Sequence, residues 1–135
     1  ILALNYASDN PQKVASLVLI GAPHKVPKAA FALQNLIFRF LPECMFDTMA
    51  FDKKNTFALG NTMKRLDFSD RVQNVSCPAM IVCGKKDGAN LKSARYFEKN
   101  IKGANLKVLE DVGHVVNEEN PEELANILNA FYGGL

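Results

Sequence analysis

The sequence predicts an α/β fold: a partial parallel sheet with flanking helices and a helical cap-like insertion. Three observations carry this. Short apolar runs, Leu17-Val18-Leu19-Ile20 and Pro78-Ala79-Met80-Ile81-Val82-Cys83, have the continuous character of strands in a parallel sheet. Helix-like segments separate the strand-like ones, which is the order that builds βα units. A capped amphipathic segment closes the chain. The expected organisation is a core helix and strand over residues 1–23, the helical insertion over 24–70, and a C-terminal core over 71–135.

The elements follow in order. Ile1 to Ala7 is rich in helix formers and stops at Asp9-Asn10-Pro11, so it is expected to be the body of a helix whose beginning lies elsewhere. Leu17 to Ile20, closed by Gly21-Ala22-Pro23, suits a strand buried on both faces with neighbours on either side. From His24 to about Asp70 the pattern changes. Phe31, Leu36, Ile37, Phe38, Phe40, Leu41, Met45, Phe46, Met49 and Phe51 crowd a helix-leaning stretch without strand signals, as in a lid over one end of a sheet, although each aromatic is equally well explained as helix core. A second strand ends at Cys83. Ser93 to Ile101 then reads as a helix capped by Ser93 and stopped near Gly103. Leu106 to Leu109, with Lys107 on one face, suits an edge strand. Asn120-Pro121-Glu122-Glu123 is a cap, a proline at the first helical position and an acidic first turn. Leu124, Ile127, Leu128 and Phe131 recur at helical spacing until Gly133-Gly134.

Composition narrows the function. The 135 residues, 48% hydrophobic and 22% charged, have a globular composition. Sixteen basic and 14 acidic residues are scattered along the chain for a net charge of +2, so no basic stripe argues for nucleic acid. The longest apolar stretch, around Phe31 to Leu41, is broken by Gln34, Asn35 and Arg39 and is too short and polar to span a membrane. Cys44, Cys77 and Cys83 are odd in number and lack C-x-x-C spacing, which fits free thiols in a reducing, cytoplasmic setting. No signal peptide is visible, and because Ile1 is not an initiating residue the natural N-terminus is expected upstream.

Two polar residues stand out by position. Asp87 follows the second strand through Gly84-Lys85-Lys86, and His114 follows the third through Asp111-Val112-Gly113. Open parallel sheets place their working groups just past strand ends. The separation of 27 residues (114 − 87) leaves room for a loop, a crossover helix and a strand, so both side chains can emerge at one sheet edge. An Asp beside a His can fix the imidazole tautomer while the His moves a proton to and from a nucleophile. Asp87-Gly88 is also an ordinary turn signal, and His114 equally suits a strand-end hydrogen bond.

Leu4-Asn5-Tyr6-Ala7, Pro11-Gln12-Lys13-Val14, Leu17 to Gly21, Ile81 to Asp87, Val112-Gly113-His114 and Asn120 to Leu124, taken in this order and spacing, resemble the C-terminal half of an α/β-hydrolase-fold enzyme. The resemblance covers nearly the whole chain except its cap-like middle. It implies that Asp87 is the acid and His114 the base of a catalytic triad, with no metal or organic cofactor. It also implies that the nucleophile belongs about four residues before Ile1, on the strained G-x-S-x-G turn that opens the first helix. No such turn occurs in the 135 residues, so the elbow and the oxyanion-hole amides are expected outside this chain, and the chain alone is expected to be an inactive fragment.

The resemblance points to an esterase-like serine hydrolase acting on a small ester or related acyl compound. Abundant Phe and Met in the insertion favour an apolar acyl or aromatic group. An Asp nucleophile would instead give epoxide hydrolase or dehalogenase chemistry through an alkyl-enzyme ester. From a different class, the chain could be a non-catalytic ligand- or partner-binding product, because a strand deprived of neighbours invites self-association or pairing with the missing N-terminal half. Among the other polar residues, His24 is expected to be a solvated loop histidine, Glu110 and Asp111 surface charges, and Ser8, Ser16, Ser69, Ser76 and Ser93 lack the nucleophile's turn. Two distant histidines without carboxylates at ligand spacing make no zinc site.

Overall fold

A computed structural model describes residues 1–26, 28–46, 52–63 and 66–135. Helix α1 (Leu2–Asp9) ends where Asn10, the residue before Pro11, leaves helical geometry, as the X-Pro step favours, and Pro11–Lys13 form a 3-10 turn. Strand β1 (Leu17–Ile20) follows, and helices α2 (Lys28–Phe40) and α3 (Lys53–Met63) fill the insertion. The rest is β2 (Ala79–Gly84), α4 (Leu91–Asn100), β3 (Asn105–Leu109), the short α5 (Val116–Glu119) and α6 (Pro121–Gly133).

The strands form a parallel sheet of order β1-β2-β3, with Leu19 opposite Ile81 and Cys83 opposite Val108. Every residue of β2 is buried, as a central parallel strand covered on both faces requires. Its side chains alternate. Met80 and Val82 join Leu109, Val112 and Val116 beneath Leu124, Ile127 and Phe131 of α6. Ile81 and Cys83 point to the opposite face, where α4 packs on β2 and contributes the buried Ala94 and Phe97. Asn120 accepts a hydrogen bond from Glu123 N at 3.2 Å and so caps α6 as its sequence predicts.

Two expectations need correction. β1 is not buried on both faces: Leu17 and Leu19 are buried, but Ile20 is 37% exposed, and among the described residues β1 pairs only with β2. A continuous apolar run reports β character, whereas burial depends on which neighbours are present. Ser93 does not cap α4, because the helix begins two residues earlier at Leu91 and Ser93 lies buried within it.

The chain divides into two compact units, residues Ile1–His24 with Phe68–Leu135, and Lys25–Asp67. Within the second unit, Lys53 Nζ donates to the α2 end carbonyls of Leu41 (2.7 Å) and Arg39 (3.1 Å), satisfying groups that a helix terminus leaves unpaired. Asp52 Oδ1 accepts from Asn55 N at 2.7 Å and so starts α3. Met49 and Phe51 lie outside the described residues, as do the side chains of Phe31, Cys44 and Phe46. Among the described residues no helix is long and apolar enough to cross a membrane.

Candidate active site

Three chain segments leave the C-terminal ends of β1, β2 and β3 and meet at one sheet edge. They are tied by backbone bonds: Gly21 N to Val82 O (3.0 Å), Lys85 N to Leu109 O (2.8 Å) and Lys86 N to Val112 O (2.9 Å). The approach leaves no room for a side chain at Gly84 and little at Gly21. A Cβ on Gly84 would stand 2.1 Å from Gly113 O and 2.3 Å from Val112 O. Gly21 has φ +53°, and a Cβ there would meet His114 Nδ1 at 3.1 Å.

Asp87 occupies the turn after β2 and is 7% exposed. Its Oδ2 lies 2.8 Å from His114 Nδ1. Asn90 wraps the same carboxylate: its Nδ2 donates to Oδ2 at 2.9 Å and Oδ1 at 3.1 Å, and its backbone N–H donates to Oδ1 at 3.2 Å. Burial raises the Asp87 pKa, but the hydrogen bonds from the Asn90 side chain, from His114 and from the Asn90 backbone, with the charge of His114, outweigh it and leave the carboxyl below its ordinary value. Asp87 is therefore a buried carboxylate at neutral pH.

His114 is built the opposite way. Its ring side chain is 65% exposed, and its hydrogen bond to Asp87 runs through Nδ1. Since the carboxylate is acceptor-only, the 2.8 Å contact assigns the proton to Nδ1 and leaves Nε2 as the basic nitrogen. The backbone on either side is clamped by Glu119, whose Oε2 accepts from Gly113 N at 2.6 Å and Oε1 from Val115 N at 3.1 Å. A Cβ on Gly113 would stand 2.9 Å from Glu119 Oε1, so the glycine before the histidine admits this carboxylate.

The structure brings Asp87 and His114 together and adds Asn90, Glu119 and Gly21, which the sequence reading did not single out. His24 is not a solvated loop residue: its Nδ1 lies 2.8 Å from Ser93 Oγ, and its ring stacks on Tyr96 at 4.4 Å. Glu110 and Asp111 are surface charges that pair with Lys85 and Lys86. Cys77 and Cys83 are buried free thiols. Burial pushes both upward, with the nearby Asp87 charge adding to the effect at Cys83, so neither is poised as a thiolate. Among the described residues no three His, Cys, Asp or Glu side chains form a metal-binding group. A depression of about 450 Å³ lined by Pro78, Met80, Asn105, Lys107 and Phe131 lies toward the other end of the strands, away from the Asp87 and His114 contact.

The architecture matches solved structures over nearly the whole chain. A hydrolase from Pseudomonas aeruginosa PA01 superposes with a TM-score of 0.82 at 17% identity, covering 98% of this chain and 61% of that one. An esterase from Exiguobacterium antarcticum gives 0.80 at 18% identity over 96% of this chain and 62% of the other. In sequence, the mouse monoacylglycerol lipase ABHD6 is 24% identical over 95% of the chain. The chain has the α/β-hydrolase fold. A proline iminopeptidase of Saccharolobus solfataricus is a further relative of this α/β-hydrolase-fold chain, 27% identical over 57% of it. The chain spans 44% of the lipase and 25% of the iminopeptidase. No protein-family model matches it.

Proposed function

We propose that Asp87 and His114 are the acid and base of a nucleophile–His–Asp triad that hydrolyses a small ester or related acyl compound, with the nucleophile on a part of the fold outside these 135 residues. The 2.8 Å contact between a buried carboxylate and an exposed imidazole, both just past strand ends, carries this reading. With Nδ1 donating to Asp87, Nε2 accepts the nucleophile's proton as it attacks the acyl carbon and then returns it to the leaving group. Asp87 stays ionised and stabilises the imidazolium formed between those steps. The names lipase and esterase among the relatives support an acyl substrate. The Phe- and Met-rich insertion favours an apolar acyl or aromatic group.

The test supplies the nucleophile-bearing half of the fold, in the same polypeptide or as a second chain, and follows short-chain aryl ester hydrolysis. His114→Ala and Asp87→Asn are each expected to lower kcat by about 10² to 10⁴-fold. Wild-type turnover by His114→Ala would remove the base assignment. The chain by itself is expected to give none, so ester hydrolysis above a buffer blank would show that it holds its own nucleophile.

A second reading, self-association or pairing with another chain, is favoured by one observation. β1 pairs on one side only among the described residues, and its own Ile20 is 37% exposed. Light scattering of the isolated chain at high concentration should show dimers or larger species, and a monodisperse monomer would count against it.

A further inference from the structure

Asn90 stands at the N-cap position of α4, where asparagine ordinarily accepts a hydrogen bond from the first helical turn. Its side chain makes no cap bond. It turns to Asp87 instead, and Nδ2 reaches both carboxylate oxygens, at 2.9 and 3.1 Å. The amide orientation follows from chemistry, because a flipped amide would press its oxygen against an acceptor-only carboxylate. In the orientation left, Nδ2 also lies 3.3 Å from His114 Nδ1. The shorter 2.8 Å contact assigns the Nδ1 proton to Asp87, so ring and amide are two donors side by side on one carboxylate.

We propose that Asn90 is a positioning residue for the acid–base pair: it fixes the Asp87 oxygen that faces His114, and it sits so close to the ring that carboxylate and amide can exchange places between positions 87 and 90. This rests on the assignment of Asp87 and His114 as acid and base. Three features support it. The half-buried Asn90 gives up the cap for this contact, its Nδ2 donates to the same Oδ2 that His114 uses, and that Nδ2 lies within reach of Nδ1. A carboxylate at 90 with an amide at 87 recreates the same donor and acceptor set with the roles reversed.

The test is the ring-nitrogen NMR spectrum of His114 at neutral pH, which distinguishes a pyrrole-type Nδ1 from a pyridine-type one without any turnover. Wild type is expected to carry its proton on Nδ1. Asp87→Asn should move the proton to Nε2, changing the tautomer ratio by about tenfold or more, the equivalent of one hydrogen bond to a charged group. Asp87→Asn combined with Asn90→Asp should return it to Nδ1. Asn90→Ala should make the Asp87 carboxyl, followed by its carbon resonance, titrate at higher pH than in wild type; the loss of a helix cap would not move that midpoint, since no cap bond exists to lose.

The failures are separable. An unchanged tautomer in Asp87→Asn overturns the acid–base assignment, and this inference with it. A changed tautomer in Asp87→Asn that the double variant leaves unrestored overturns the role of Asn90 alone. Should Asn90→Ala not fold, the double variant decides by itself, because both of its substitutions are isosteric.

Discussion

Replacing Gly84 with alanine adds one methyl group at the point where β2 passes beneath the His114 loop. The new carbon would lie 2.1 Å from Gly113 O, 2.3 Å from Val112 O and 2.6 Å from Val112 C, and all three are backbone atoms that no rotamer change can move. A Cβ essentially never comes closer than 3.0 Å to a heavy atom, so the loop must lift by about 1 Å. That lift stretches the 2.9 Å bond from Lys86 N to Val112 O and carries His114 from its 2.8 Å contact with Asp87 beyond hydrogen-bonding range. Overpacking costs about 1 to 3 kcal/mol and a lost backbone bond about 1. The exposed half of the His114 pair adds little, because solvent screens it. The sum is about 2 to 4 kcal/mol, read as a lower urea midpoint, together with loss of the Nδ1-protonated ring signal. Gly88→Ala is the control, since a Cβ there meets nothing within 4 Å, and it should stay within about 0.5 kcal/mol of wild type. A Gly84→Ala protein as stable as that control, with an unaltered His114 spectrum, would refute the close-approach argument.

Other outcomes follow from the same geometry. Gly21→Ala combines a left-handed backbone with a methyl group 3.1 Å from His114 Nδ1, so it should lower kcat more than it raises KM, and equal effects on the two would count against the contact. Glu119→Ala leaves the N–H groups of Gly113 and Val115 without their acceptor; hydrogen exchange at those two amides should accelerate while core strand amides stay unchanged. Asp87 has a folded-state pKa below its unfolded value, so its contribution to stability is fully present above the unfolded pKa and is lost as pH falls through the depressed folded one. Unfolding free energy of wild type should therefore drop through and below the ordinary carboxylate range more steeply than that of Asp87→Asn, and parallel curves would contradict this.

The parts of the site that sequence makes legible are those marked by local chemistry. Asp87 and His114 each follow an apolar run and a glycine; Gly84 is required because two backbones nearly touch, and Gly113 leaves room for the Glu119 carboxylate. The α6 cap is legible for the same reason, since its Asn, Pro and Glu act within one turn. What escapes is decided across the chain. His24 reads as a loop residue until Ser93 and Tyr96, far away in sequence, enclose it. Asn90 and Ser93 both carry helix-cap chemistry, but distant His24 claims the Ser93 hydroxyl and the carboxylate of Asp87, held against His114, claims the Asn90 amide. The four residues of α5 are too few to show a period, so the Glu119 clamp has no signal in the pattern.

Chemical rescue is the sharpest test of His114 as the general base. With the nucleophile-bearing half of the fold present, the exposed site left by His114→Ala is open to imidazole from solution. That variant should lose most aryl ester turnover and regain part of it, saturably, when imidazole is added. Undiminished turnover in His114→Ala without imidazole would contradict that role.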